Sequence, residues 1–282
     1  MEHITHVAGL RLTLDSFRRD GKRIVVVPTM GNQHAGHMHL EEHARDHGDI
    51  VVCTIFVNPM QFGRDEDLDS YPRTLTADME KLRAAGCDVL FSPSVHEIYP
   101  EGLDDHTVVS VPRISERHCG ASRPGHFAGV STVVSKLFNL VQPQVAVFGL
   151  KDYQQLMVIR KMVTDLCMPV GLVGVPTQRE ADGLALSSRN GYLTPEQRRI
   201  APALYRTLQD ARNRVLQGEE FATVEAAAIR CLTEAGFRPD YFHISHAETL
   251  EPAEPGDRHL VILAAAWMGS TRLIDNIEIL LS

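Results

Sequence analysis

Apolar residues in this chain gather into short unbroken runs, separated by longer stretches in which they recur every three or four positions. The runs lie at 24–27, 50–57, 89–92, 145–148 and 170–175. Runs this short, rich in Val and Ile and without polar alternation, predict strands buried on both faces. Helix-period segments between several of them give a β/α rhythm, which predicts a parallel sheet covered by helices, an α/β fold of Rossmann-like type. Such sheets take ligands beyond the carboxyl ends of their strands. After residue 175 the pattern changes. Pro195 opens a helical stretch to about residue 217, a second covers 222–235, and strands follow at 241–246, 260–268 and 271–279. Helices followed by adjacent strands predict a smaller α+β domain. The expected division is therefore 1–175 for the Rossmann-like domain and 176–282 for the C-terminal one, with no internal repeat.

Length, charge and cysteine usage narrow the possibilities. At 282 residues with 44% hydrophobic content, the chain can bury a sizeable core in one large or two modest domains. A formal charge of −8 without clustered Lys and Arg argues against a nucleic-acid partner, while leaving room for a local anion pocket. Cys53, Cys87, Cys119, Cys167 and Cys231 are odd in number, widely spaced and free of a C-x-x-C pair. They read as reduced, buried thiols in a cytoplasmic protein. Residues 1–14 mix His, Glu, Arg and Asp through their apolar positions, and no apolar run approaches the ~18 residues of a membrane span.

The first run opens the most informative segment, Val25-Val26-Val27-Pro28-Thr29-Met30-Gly31-Asn32-Gln33-His34-Ala35-Gly36-His37. Pro28 should stop the strand, Gly31 and Gly36 let the backbone turn and approach a ligand, and a helix can start near His34. Residues three apart share a helical face. Both imidazoles therefore point the same way, beside the free N–H groups of the first turn, where phosphate is at home. An HExxH zinc hydrolase would need i, i+4 histidines and an intervening Glu, which this pair lacks. His39, His43 and His47 do have i, i+4, i+8 spacing, but with Glu41, Glu42, Arg45 and Asp46 around them they read as an exposed polar face.

Further candidates follow later strand ends. Asn58 and Gln61, in Phe56-Val57-Asn58-Pro59-Met60-Gln61-Phe62, are amides suited to hydroxyls and carboxylates, although Asn-Pro alone also makes a plain turn. The acidic stretch Asp65-Glu66-Asp67-Leu68-Asp69 reads as a solvated loop without a catalytic role. In the shaped loop 119–130, Arg123 can clamp an anion or bridge at the surface, and His126 can hydrogen-bond locally. Lys151, after the run 145–148, can reach a triphosphate, and Asp152 suits a helix N-cap. Ser187, Ser188 and Arg189 form a loop that would hold phosphate by side chains rather than by a glycine cradle. Neither G-x-x-x-x-G-K-[ST] nor a strand-linked G-x-G-x-x-G occurs.

Taken in order, these segments resemble the pantothenate synthetase (pantoate:β-alanine ligase) family of the nucleotidylyl-transferase superfamily. His34-Ala35-Gly36-His37 fits the H-x-G-H element, and Ser187-Ser188-Arg189-Asn190 stands where relatives carry a second phosphate loop. Tyr71-Pro72-Arg73, Arg179-Glu180-Ala181-Asp182-Gly183 and Thr271-Arg272-Leu273-Ile274-Asp275-Asn276 extend the resemblance over residues 24–279. It implies two steps: ATP and (R)-pantoate give pantoyl adenylate and pyrophosphate, then the amine of β-alanine displaces AMP to give pantothenate.

The resemblance also implies roles. Met30, Gly31, His34 and His37 would wrap ATP, with His37 as the family's proton donor, and an imidazole of pKa ~6.5 can donate either a hydrogen bond or a proton. Lys151 and Arg189 join the two histidines as catalytic groups, and Gly149, Asp152, Gln178, Leu186, Ser187 and Ser188 complete the nucleotide contacts. Gln61 and Gln155 match the pantoate-binding amides, Gln61 also bordering β-alanine, with Asn58, Tyr71 and Arg123 as further substrate candidates. Mg²⁺ would accompany ATP, held by phosphates and water with Asp78 helping. A homodimer assembled through the larger domain, and closure of the smaller domain over ATP, are implied as well. Gln33, Leu150 and Gln178 depart from the family pattern, where leucine, a polar residue and an aliphatic residue are usual. They bear on nucleotide packing rather than on reaction class. The residues by themselves also leave open an adenylyltransferase that stops at an adenylated product, and a non-catalytic nucleotide-binding protein.

Overall fold

The computed structural model describes residues 1–63 and 66–281. The first part of the chain runs β1 (Glu2–Ile4), α1 (Val7–Arg19), β2 (Ile24–Thr29), α2 (Ala35–Arg45), β3 (Ile50–Ile55), α3 (Leu75–Ala84) and β4 (Val89–Phe91). It continues through α4 (Val95–Ile98), α5 (Cys119–Ser122), α6 (His126–Val141), β5 (Val145–Gly149), α7 (Tyr153–Asp165) and β6 (Gly171–Val175). The remainder runs α8 (Pro195–Ile200), α9 (Ala203–Leu216), α10 (Phe221–Glu234), β7 (Arg238–His246), β8 (His259–Met268) and β9 (Thr271–Leu280).

The first six strands make one parallel sheet, in the order β1-β4-β3-β2-β5-β6. Their apolar runs are unbroken because alternate residues serve opposite layers. Ile24, Val26, Ile50, Val52, Ala146 and Phe148 face the core built with α1, α6 and α7, while Val25, Val27, Val51, Val145 and Val147 face Leu40 and Ala44 of α2. The last three strands form an antiparallel sheet, β7-β8-β9. Phe242, Ile244 and Ile262 bury against Leu204 and Leu208 of α9 and Val224 and Leu232 of α10. On the other face, Tyr241, Val261 and Leu263 join the main core of the larger sheet. Each fully buried Leu or Ile of these helices contributes roughly 1.5–3 kcal/mol.

Several expectations need correction. The strand does not stop at Pro28 but runs on to Thr29. The Thr29 carbonyl accepts from Phe56 N on the β3 side, so Pro28 turns toward β5, where pairing has already ended at Val26 and no donor is missed. The helical stretch from Pro195 is two helices, α8 and α9, because Pro202 cannot continue the first. β1 is a three-residue edge strand within a polar N-terminus that had suggested none. Cys53, Cys87 and Cys119 are buried as expected, but Cys167 and Cys231 are exposed. Glu41 does not lie on an exposed polar face: it is 1% exposed, turned inward toward Cys53, Cys87 and Asp88.

Candidate active site

β2 and β5 are neighbours in the parallel sheet, but the chain leaves β2 for β3 and β4 on one side and places β5 and β6 on the other. The connections diverge there and open a crevice beyond the carboxyl ends of the strands. The segments after β2, β3 and β5 all arrive at it.

The β2 segment is fixed from below. The carboxylate of Asp78, on α3, accepts from Asn32 N at 2.9 Å, Gln33 N at 2.7 Å and Thr74 Oγ1 at 3.1 Å. Asp78 is fully buried in this role, so the expectation that it helps Mg²⁺ is corrected. Gln33, in place of the family's usual leucine, donates from Nε2 to Thr29 Oγ1 at 2.7 Å and is buried beneath the loop, away from the crevice. Gly31, at φ +85°, makes the turn and lines neither of the cavities below, so it shapes the loop rather than touching a ligand there.

His34 is the N-cap of α2. Its Nδ1 accepts from Gly36 N at 3.1 Å, and Nδ1 of His37 accepts from His34 N at 3.3 Å, a reciprocal capping box made by two histidines. Gly36 is required by this closeness, since a Cβ there would come within 3.0 Å of the His34 ring. The ring centroids are 4.0 Å apart. Burial, then the Lys151 charge, lowers the His34 pKa to about 4. Burial, then His34 itself and Lys151, lowers that of His37 to about 3. Both imidazoles are therefore neutral near pH 7, and with each Nδ1 accepting, the hydrogen-bond network assigns the proton to Nε2. The expectation of imidazoles near pKa 6.5 is corrected accordingly.

Gln61 sits on a short 3₁₀ turn, Pro59–Gln61, capped by Asn58. The Asn58 amide is spent within the protein: Nδ2 donates to Gln61 Oε1 and Gly129 O, both at 3.1 Å, and Oδ1 accepts from Tyr99 OH at 2.8 Å. Asn58 is thus corrected from a substrate contact to a positioning residue that orients Gln61. Gly129 on α6 allows the helix to touch this turn, because a Cβ would clash with the Met60 carbonyl and stand 2.7 Å from Gln61 N.

Lys151 follows β5 on a 3₁₀ turn whose Leu150 and Lys151 carbonyls accept from Asn276 Nδ2 of β9, at 2.8 and 3.0 Å. Nζ has no hydrogen-bond or ion-pair partner among the described residues. Asp152 occupies the N-cap position of α7 but makes no side-chain cap bond; its carboxylate lines the crevice instead. The Arg179 guanidinium is bidentate to Asp275 at 2.6 and 2.9 Å and lies over the Tyr205 ring, tying the segment after β6 to β9. Sequence reasoning missed Asn276 and Asp275 as positioning residues; their signal was two adjacent polar residues within a strand, both buried.

Two joined cavities result. The smaller, about 220 Å³, brings together Met30, His34, His37, Gln61, Tyr71, Gly149, Lys151, Asp152, Gln155, Gln178, Leu186, Ser187, Ser188 and Arg189, with an apolar wall from Val130, Val133 and Val134. The larger, about 1130 Å³, shares Gln61, Lys151, Asp152, Gln155, Ser187 and Arg189 with it and adds Arg123 and the face of the antiparallel sheet. Ser187 accepts from Arg189 N, and Ser188 Oγ donates to Asn32 O at 3.2 Å, joining the two phosphate-loop candidates.

The acidic stretch departs from expectation. Asp65 lies outside the described residues, but Glu66 and Asp67 are not merely solvated. Glu66 accepts from Arg123 Nε and Nη2 at 2.6 and 2.5 Å, and Asp67 from Arg189 Nη2 and Nε at 2.9 and 3.2 Å. His39, His43 and His47 are half-buried, His43 Nδ1 donating to the His39 carbonyl one turn back at 2.9 Å, and no cluster of three or more metal-ligating side chains exists among the described residues.

Comparison with known proteins agrees with this architecture. A sequence model described as pantoate-beta-alanine ligase matches residues 2–278. The pantothenate synthetase of Azotobacter vinelandii is 59% identical over 97% of this chain and 97% of its own length. The crystal structure of pantothenate synthetase from Thermus thermophilus superposes with a TM-score of 0.92 at 48% identity, covering 98% of this chain and 99% of that one. A pantoate-beta-alanine ligase from Francisella tularensis, solved in complex with beta-gamma ATP and beta-alanine, gives 0.82 at 32% identity, covering 98% and 97%. Identity at this level over nearly the full length leaves one assignment: the chain belongs to the pantoate-beta-alanine ligase family.

Proposed function

We infer that the chain joins (R)-pantoate to β-alanine in an ATP-driven reaction through pantoyl adenylate, and we propose the following roles for its residues. The carrying observation is the smaller cavity, lined together by two neutral imidazoles whose Nδ1 atoms are spent on the helix cap, the Lys151 side chain, two amides, Gln61 and Gln155, and an apolar wall. Pantoate is a dihydroxy acid with a geminal dimethyl group. Amides suit its hydroxyls and carboxylate, and Val130 and Val133 suit the methyls.

In the first step a pantoate carboxylate oxygen attacks the α-phosphorus of ATP in line, and the bond to pyrophosphate breaks with its electron pair leaving on pyrophosphate. Negative charge grows on the phosphate oxygens, where Lys151 and the Nε2–H groups of His34 and His37 stabilise it. Neutral imidazoles do this as hydrogen-bond donors, without transferring a proton. Gly149, Asp152, Gln178 and Leu186 border the nucleoside, and Ser187, Ser188 and Arg189 the triphosphate. In the second step the β-alanine nitrogen attacks the acyl carbon, the bond to AMP breaks and nitrogen loses a proton. Activation is needed because a carboxylate is a poor electrophile, whereas AMP is a good leaving group. Tyr71 and Arg123 border the substrates.

Mg²⁺ fits as a companion of ATP rather than as a resident ion, since among the described residues Asp152 is the crevice carboxylate not paired with an arginine and no cluster of three or more metal-ligating side chains occurs; phosphates and water would supply most ligands. We further propose 1–175 as the nucleotide- and pantoate-binding domain, 176–282 as the part that closes over ATP, a homodimer, and a cytoplasmic location. The unbridged cysteines support the last of these. No helix among the described residues is long and apolar enough to cross a membrane.

The test follows AMP and pyrophosphate from ATP, Mg²⁺ and (R)-pantoate, with and without β-alanine. Sustained AMP release should require the amine, and Lys151→Ala should lower turnover by about 10²–10³-fold, the usual loss for one preorganised electrostatic donor. Sustained turnover without amine would instead mark a transferase, and binding without turnover a nucleotide-binding module.

A further inference from the structure

Arg123 and Arg189 both line the larger cavity, and neighbouring carboxylates of one short loop occupy both. Asp67 takes the Nε–Nη2 edge of Arg189 with its two oxygens, at 3.2 and 2.9 Å. Glu66 takes the same edge of Arg123, whose Nη1 meets His126 Nε2 at 3.0 Å. His126 Nδ1 in turn donates to the Gln61 carbonyl at 2.7 Å. A guanidinium edge recognises the paired oxygens of a carboxylate and those of a phosphate by the same fork geometry, so the two compete for it.

The cavity's arginine pairs differ in kind. Arg179 and Asp275 have side chains 17% and 3% exposed, reinforced by the Gly183 carbonyl and the Tyr205 ring, which makes that pair a fixed strut. Arg189, on the 3₁₀ turn Ser188–Tyr192, and Asp67, on a loop, are 33% and 23% exposed, so this pair is more open to water and to an exchanging anion than the strut is. The Asp152 carboxylate also acts on Arg189, and a triphosphate entering beside both carboxylates is repelled as long as Asp67 stays.

We propose that Asp67 is an anion placeholder for Arg189, holding the guanidinium aimed into the crevice until the triphosphate of ATP takes over its fork. It is a positioning residue that sets nucleotide affinity rather than rate, a conclusion that rests on the reading of Arg189 as a phosphate ligand.

Asp67→Asn keeps the shape and removes the competing charge. Calorimetric titration with α,β-methylene-ATP should show Kd lowered roughly two- to five-fold, the upper part of the range of a partly exposed ion pair. KM for ATP should fall in step, kcat should stay within about two-fold, and Asp67→Glu should bind as wild type does. Arg189→Gln is the companion variant. An unchanged or raised Kd in Asp67→Asn, with binding still lost in Arg189→Gln, would overturn the placeholder and keep Arg189 as a phosphate ligand. Unaltered binding in Arg189→Gln would overturn the underlying reading and the placeholder with it. Melting temperatures of all variants within about 2 °C of wild type would show that these changes report on the site and not on folding.

Discussion

Replacing Glu41 by Gln should stabilise the protein in alkaline solution and change it little in acid. Neither carboxyl oxygen has a nitrogen or oxygen donor among the described residues, and burial raises the pKa from 4.5 to about 7; a contact with the Cys53 thiol opposes the rise and the Asp88 charge adds to it. In the unfolded chain the group ionises near its ordinary value. Between those two pKa values the unfolded state has lost a proton that the folded state keeps, so stability falls as pH rises from about 4.5 to about 7, then levels off. A difference of about 2.5 pKa units at 1.36 kcal/mol each corresponds to about 3 kcal/mol lost by pH 8. At roughly 2–4 °C per kcal/mol, the melting temperature of Glu41→Gln should exceed that of wild type by on the order of 5–10 °C at pH 8 and by a few degrees at most at pH 5. Thermal unfolding of both proteins across pH 5–8 reads this directly. Parallel curves, with a constant gap, would refute the buried, protonated carboxyl.

Other outcomes follow from the crevice. Because His34 and His37 are neutral, with pKa values lowered to about 4 and about 3, kcat should be flat from pH 6 to 8. A requirement for imidazolium would instead make the rate fall about ten-fold per pH unit above ~6.5. His37→Gln, which keeps an uncharged N–H donor, should retain more turnover than His37→Ala, as single-turnover pyrophosphate release would show. Gly129→Ala pushes α6 off the turn that carries Gln61. It should cost about 1–3 kcal/mol of stability in denaturant unfolding and raise KM for pantoate more than KM for ATP.

The parts of the fold that could be read from sequence are those where one residue's environment repeats along the chain. β2, β3 and β5 are buried on both faces, so their valine runs are unambiguous. β1 has only Glu2, His3 and Ile4 at a sheet edge, too short for any period. The histidine pair was legible because i, i+3 spacing forces two side chains onto one helical face. That spacing could not reveal that each ring would cap its own helix, which fixes the tautomer. Glu41 misled because charged neighbours surround it in sequence, yet it sits three residues from both Met38 and Ala44, on the stripe that faces the sheet and α3. The pairing of Glu66 and Asp67 with arginines 57 and 122 positions away leaves no local signature, so an acidic run looks the same whether it is solvated or clasped.

The charge balance of the crevice explains why neutral histidines suit it. Two imidazolium rings with centroids 4.0 Å apart, in a buried position beside Lys151, would repel one another and the ammonium, so the geometry admits the pair only in neutral form. Neutral donors add no charge that would need a counter-ion. Arg123, Arg179, Arg189 and Arg272 are each balanced by a carboxylate, Glu66, Asp275, Asp67 and Asp240. Among the described residues lining the shared part of the crevice, Lys151 is the cation without an ion-pair partner, and it stands on a turn anchored through two carbonyls by Asn276. In the proposed placement of ATP, the field at the α-phosphate would be dominated by one fixed ammonium and two fixed N–H dipoles, groups whose effect grows as charge moves onto the departing pyrophosphate and which need little reorganisation when it does. The arginine pairs would contribute only as far as an incoming anion displaces their partners, so the proposed roles predict that Lys151 and the histidines set rate while Arg189 sets affinity.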